Sequence, residues 1–368
     1  MSAPLPLVYY TCSYVPPEAI WAAGCQPVRL LPSHPAPGEC DAFLPRDFCA
    51  YVRAAFWDLY RRTPQAAAAV VLTTCCDPMR RLADVLRHHL PHLPAFLVDL
   101  PRERGNPGEE RLAGELDKLY LGLRALPGAC PPSGGLAGAS RLFAEMRSLL
   151  SRTSQFMSGP AFHRLVRQVF TSDPRDALDF LRSLAAPVPA GGVTTERPVV
   201  HTGPRPAVMR GGAAAPGRSG EPGVMVITSH PVDPGVLEVM EQAGARVVAE
   251  DSCLGERILA IPPGGGDWGQ LARAYLERPP CPRMELPEER LAYLEELARR
   301  RGAQGIVFLA LKFCDNLGYD FPWISRGSSL PVLFLEAEYR ASASGQLLTR
   351  VQAFAETLPA RAGGRLPG

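Results

Sequence analysis

The sequence has almost no lysine. Lys118 and Lys312 are the only two, and arginine supplies the remaining basic residues. With a net charge of +2, the chain lacks the one-signed field that nucleic acid or an anionic membrane would require. No apolar run reaches the roughly 18–20 residues of a spanning helix. No G-x-G-x-x-G follows a strand-like run and no G-x-x-x-x-G-K-S/T occurs, so a nicotinamide or nucleotide site of those kinds is unsupported. There is no C-x-x-C pair and no ferredoxin-type run, which removes the usual paired-ligand zinc site and the ferredoxin domain. The start, MSAPLPLVYYTCSYVPP, has neither a charged n-region nor a long apolar h-region, and a cytoplasmic protein is expected. Ten cysteines in a reducing compartment are then free thiols, metal ligands or catalysts rather than a disulfide framework.

What is present is alternation. LVYYT (7–11), AVVLTT (69–74) and AFLVDLP (95–101) read as strands, interleaved with helical patterns at 16–24, 46–62 and 77–90. The third of these opens on Asp77 as a plausible N-cap, with Pro78 next. Residues 108–128 and 140–185 read as further helices. Residues 186–223 are rich in Pro and Gly without periodicity, and form a linker or long surface loop. Alternation then resumes. Strands are expected at 223–229, 246–251, 305–313 and 331–338, and helices at 234–244, 287–302 and 344–358. This pattern predicts an α/β protein of two Rossmann-like (flavodoxin-like) parallel-sheet domains with additional helices. The expected domains are 1–185, with a helical extension, and 224–368, joined through 186–223.

The cysteines are not scattered evenly over this plan. In an open parallel sheet, ligands bind outside the carboxyl ends of the strands. Cys12 follows the first strand, Cys75 and Cys76 the second, Cys253 follows RVVAED, and Cys314 follows GIVFLALKF. Cys49, on the helix beginning near Asp47, is close enough in sequence to reach the same crevice. A buried structural thiol is the competing reading for any one cysteine, and it suits Cys25, Cys40, Cys130 and Cys281 best. It accounts poorly for a set gathered at strand ends, two of them in Cys-Asp pairs. Soft thiolates select zinc, copper(I) or iron–sulfur clusters, and ligands spread over two domains assemble a site in the cleft between them. His88, His89 and His92 lie at the end of an amphipathic helix and are read as solvent-facing rather than as a zinc patch.

Six segments carry a family resemblance: YVPPEAIWAAGCQPVRL (14–30), FCAYVRAAF (48–56), TCCDPMRRLAD (74–84), EDSCLGERI (250–258), KFCDNLGYDFPW (312–323) and LFLEAEYRASASGQLLTRVQAFAE (333–356). In this order and spacing the chain resembles a subunit of the 2-hydroxyacyl-CoA dehydratase and benzoyl-CoA reductase family, of the 2-hydroxyglutaryl-CoA dehydratase D-component type. The resemblance implies a [4Fe–4S] cluster in the interdomain cleft, held by three cysteines with one iron left open. Carried over by position, the ligands are Cys49, Cys76 and Cys314, with Cys75 or Cys253 as substitutes and Cys12 a weaker candidate. Asp77 and Asp315 are then helix caps or hydrogen-bonding neighbours of the thiolates. Glu18 and Glu336 are the candidate acid/base groups facing the cleft. Gly345, Gln346 and Arg350 would fix the approach of the last helix to its sheet, or hold an anion.

The implied function is one-electron, ketyl-radical dehydration of a 2-hydroxyacyl-CoA thioester by a lyase. The implied partners are a sister subunit, in a heterodimer or homodimer, and a separate ATP-dependent iron–sulfur activator. A benzoyl-CoA reductase-type subunit, a double-cubane-cluster reductase and a non-catalytic electron-relay subunit are the alternatives within the family. A metal-free α/β binding protein with incidental thiols is the alternative outside it.

Overall fold

The computed structural model describes residues 4–61, 67–185, 220–284, 286–339 and 345–359. The segment expected to be a linker lies almost wholly outside the described residues. Within them are two four-stranded parallel sheets wrapped by helices. The first half runs β1 (Leu7–Tyr10), α1 (Pro17–Ala22), β2 (Gln26–Arg29), α2 (Ala50–Arg61), β3 (Ala69–Thr73), α3 (Asp77–His89), β4 (Ala95–Val98), α4 (Asn106–Arg124), α5 (Gly135–Thr153), α6 (Gly159–Thr171) and α7 (Pro174–Ala185). The second runs β5 (Gly223–Ile227), α8 (Pro234–Gln242), β6 (Arg246–Asp251), α9 (Glu256–Leu259), α10 (Trp268–Glu277), α11 (Pro287–Arg301), β7 (Gly305–Leu311), α12 (Asp315–Gly327), β8 (Val332–Ala337) and α13 (Gly345–Thr357).

The sheets share one topology, with strand orders β2-β1-β3-β4 and β6-β5-β7-β8. In each, the order reverses beside the first strand, which opens a crevice at the carboxyl ends between β1 and β3 and between β5 and β7. Both faces of each sheet are covered. Val8, Tyr10, Ala69 and Val71 enter one core while Tyr9, Val70 and Leu72 enter the other. Val224 and Val226 separate in the same way from Met225 and Ile227. Successive side chains on a strand point to opposite faces, so strands covered on both sides read as continuous apolar runs.

β2 was not apparent from the sequence. Its QPVR contains Pro27, which removes a ladder donor, and the strand is tolerated because it lies at the edge of the sheet. The turn that delivers it depends on Gly24. That residue has φ of +88°, and a Cβ there would meet the backbone of Cys130 at 2.3 Å. α3 also begins one residue earlier than expected. Its N-cap is Cys76, and Asp77 is the first helical residue, paired on the surface with Arg81 at 3.6 Å.

The two halves interlock. Leu254, Ile258, Leu271, Tyr275 and Met284, which follow β6, pack into the core of the first sheet. Tyr339 and Leu311 join the other core of that sheet, and the Tyr339 hydroxyl donates to Pro32 O at 3.3 Å. In the opposite direction, His163 on α6 contacts Val232 O through Nε2 at 2.8 Å and pairs with Glu250 through Nδ1.

Candidate functional site

The two crevices open into one cavity of about 730 Å³, open mouth included. Its wall carries seven of the ten cysteines: Cys12, Cys49, Cys75, Cys76, Cys253, Cys281 and Cys314. They arrive from the ends of β1, β3, β6 and β7, from the residue before α2, and from the loop after α10. The six cysteines proposed from the sequence are thus brought together. Cys281 was not foreseen, because it follows a short Pro-rich loop (RPPCPRM) rather than a strand. Cys25 and Cys40 are buried elsewhere, and Cys130 is exposed.

Cys49, Cys76 and Cys314 share a local setting. Each is the residue immediately before a helix, namely α2, α3 and α12. A helix start presents unpaired amides and a partial positive charge, and both favour a thiolate. Cys49 Sγ accepts from the amides of Tyr51 and Val52, and Cys314 Sγ accepts from that of Leu317. The strand end leading into Cys314 is itself unusual. Phe313 adopts φ of 61°, a left-handed conformation costing a bulky residue about 1–2 kcal/mol, and it turns the chain so that Cys314 N reaches Leu311 O at 3.1 Å.

The thiols are near enough to act on one another, Cys49 with Cys314 and Cys75 with Cys12 and Cys76. The hydrogen bond to Cys314, followed by burial, pushes the Cys49 thiol well up. The bond to Cys75 and burial do the same to Cys12, and burial first, with Cys281 and Cys12 nearby, raises Cys253 against the pull of Arg257 and Arg29. Cys314 moves the other way, to about 7, because Cys49 donates to it, with help from Ser229 Oγ at 3.1 Å and the Leu317 amide. Cys253 donates to Ser229 O at 2.8 Å. Beside them His230 is held neutral, its pKa lowered by burial to about 3.

A cavity lined with half-buried thiols at helix starts suits a soft, cationic guest whose charge displaces the thiol protons. Among the described residues, no three His, Cys, Asp or Glu side chains converge as they would on a single metal ion. A polynuclear cluster makes a different demand, since its thiolates hold different iron atoms and stand further apart. The chemistry of the donor set, soft thiols gathered from both sheets onto one wall, fits such a group.

The two glutamates named from the sequence do not line this cavity. Glu18 is fully buried on α1, where it accepts from Arg147 Nη1 at 2.7 Å and from the Tyr275 hydroxyl at 2.6 Å. Glu336 is exposed on β8. Asp315 is on the cavity rim and solvent-exposed, whereas Asp77 is off the wall. His88, His89 and His92 are exposed. Arg350 Nη2 donates to Phe334 O at 2.8 Å and so ties α13 to its sheet. Three cavity residues without a sequence signature are Arg29, Arg278 and Arg283.

Residues 12–358 match the family model described as 2-hydroxyglutaryl-CoA dehydratase, D-component. The chain is 21% identical to the (R)-phenyllactyl-CoA dehydratase beta subunit of Clostridium sporogenes over 359 residues, covering 94% of this chain and 90% of that protein. It is 23% identical to the "Putative dehydratase subunit YjiM" of Escherichia coli (strain K12) over 375 residues, covering 96% and 92%. With the match running from Cys12, just past β1, through all seven cavity cysteines to Leu358, the chain belongs to the 2-hydroxyglutaryl-CoA dehydratase D-component family.

Proposed function

We propose that the chain is the iron–sulfur subunit of a 2-hydroxyacyl-CoA dehydratase-like lyase, with a [4Fe–4S] cluster held by Cys49, Cys76 and Cys314. The observation that carries this reading is the convergence of strand-end thiols from both sheets on one cavity. The shared position before a helix favours this trio over Cys75 and Cys253, which lack it. Family membership and the dehydratase-subunit names of the relatives support the reaction class and a sister subunit.

Held by Cys49, Cys76 and Cys314, such a cluster would supply one-electron chemistry to a bound 2-hydroxyacyl-CoA thioester, with net loss of water as the outcome. The chain's own residues do the rest. The three helix starts hold the thiolates. Tyr51, fixed by its hydroxyl to Leu30 O at 3.0 Å, and Met79 form apolar wall. Neutral His230 adds no proton to the site at physiological pH. The single rim carboxylate, Asp315, stands where a leaving proton can pass to water.

The test combines the anaerobically reconstituted chain with a family sister subunit and an ATP-dependent iron–sulfur activator, and offers 2-hydroxyacyl-CoA thioesters. ATP-dependent appearance of the 2-enoyl-CoA product by mass spectrometry is expected, and Cys314→Ala should abolish it. Product formation that needs no cluster would refute the reading. Net reduction of an aromatic thioester in place of dehydration would move the chain to the reductase branch.

A further inference from the structure

Arg29, the last residue of β2, lines the cysteine cavity and is 1% exposed. None of its three guanidinium nitrogens has a hydrogen-bond partner. Its carbon lies 5.4 Å from the centre of the Tyr10 ring. The two other cavity arginines are anchored differently. Arg278 donates from Nη1 to Ser13 O and Oγ, both at 2.9 Å, and sits 3.6 Å from the centre of the Tyr14 ring. Arg283 donates to Pro101 O at 2.8 Å and to Leu100 O at 3.1 Å. Carbonyl oxygens satisfy hydrogen bonds but bring no negative charge. Against these three cations the wall offers one carboxylate, Asp315, which is exposed at the rim.

A buried guanidinium with neither hydrogen bonds nor a counterion is costly. A fold keeps one where an anion stands beside it in the working state. The groups within electrostatic reach of Arg29 are Cys12 and Cys253, with the hydroxyls of Tyr51 and Tyr10, and Cys12 in turn touches Cys75. The anion that this wall can generate is sulfur-based, formed when its thiols release their protons to solvent on binding iron.

We propose that Arg29 is the counter-charge of the thiolate-held cluster, a positioning residue that compensates its negative charge and favours its reduced form. This rests on the cluster reading above. Adding an electron makes the cluster more negative, so a fixed cation in a low-dielectric cavity stabilises the reduced state more than the oxidised one. In the iron-free chain Arg29 has the Tyr10 ring but no hydrogen bond to lose, so neutralising it there removes more penalty than bonding.

The test uses wild type, Arg29→Gln and Arg29→Lys, reconstituted anaerobically. It measures iron and sulfide content, the midpoint potential by spectroscopically monitored redox titration, and urea unfolding of the iron-free chains. In Arg29→Gln the one-electron reduction equilibrium is expected to weaken at least tenfold, a fall of about 59 mV, while Arg29→Lys keeps most of the wild-type potential. Iron-free Arg29→Gln is expected to be no less stable than wild type. Failure of Arg29→Gln to load where Arg29→Lys loads would equally support a charge role. Equal potentials in all three chains overturn the proposal, and weakened acyl-CoA binding alongside them would assign Arg29 to the thioester. Iron-free Arg29→Gln unfolding more easily than wild type also overturns it, by marking Arg29 as structural. A wild-type chain that takes up no iron and sulfide removes the cluster reading itself, a result distinguishable from these.

Discussion

Glu18 shows how a single residue can be chemically suggestive and structurally occupied. A glutamate in a V-P-P-E turn near a cysteine site invites an acid/base role, yet its carboxylate is taken up by Arg147 and Tyr275 with no exposure to solvent. Removing one partner of a buried ion pair leaves an uncompensated charge and costs about 3–5 kcal/mol. Glu18→Gln is therefore expected to lower the unfolding free energy of the iron-free chain by about that amount. Adding Arg147→Met should recover most of it, because the stranded guanidinium is gone. Urea titration of the single and double variants checks this. A Glu18→Gln chain of wild-type stability that has lost only turnover would restore the catalytic assignment. The sequence could not disclose this pairing, since the partners lie 129 and 257 residues away. Arg29 and Cys281 were opaque for a related reason: Arg29 sits within the quoted segment 14–30 but nothing in it marks the arginine, Cys281 adjoins no strand end, and only the folded wall brings them to the site.

At the scale of elements, the recurring unit is a strand that ends, a cysteine, and a helix that starts. β3 leads through Cys75 and Cys76 into α3, and β7 leads through Phe313 and Cys314 into α12. This part was legible. The apolar runs VVLTT and GIVFLAL are continuous because both faces of their sheets are covered, and the cysteines mark their carboxyl ends. The cap was misassigned to Asp77, because Asp is the more common N-cap residue and cysteine gives no such signal. The proposed ligand Cys76 also occupies the N-cap position of α3, where its side chain makes no cap hydrogen bond, and serine separates the two roles. Serine caps helices well but is a poor ligand for iron in a cluster. Cys76→Ser is thus expected to leave the helix content and unfolding free energy of the iron-free chain within about 0.5 kcal/mol of wild type. Circular dichroism during urea unfolding checks this. A loss of about 2 kcal/mol or more would show that the thiol holds the fold by itself.

Over the whole molecule, two sheets of identical strand order place their crevices against each other, and the segments after β6 and β8 cross to pack in the first sheet's cores. The doubling of the fold was readable from the repeated alternation of strands and helices. The crossing was not, because α10 carries no signal for which sheet it covers and α12 has Pro322 within it. The result is a cavity whose thiols come from both halves and which exists only when the halves are joined. Whether three of those thiols grip one cluster is measured most directly by iron and acid-labile sulfide in anaerobically reconstituted Cys49→Ser, Cys76→Ser, Cys314→Ser and Cys130→Ser chains. Each of the first three is expected to lose most of its iron and sulfide while Cys130→Ser retains the wild-type amount. Equal content in all four, or none in the wild type, would contradict the assignment.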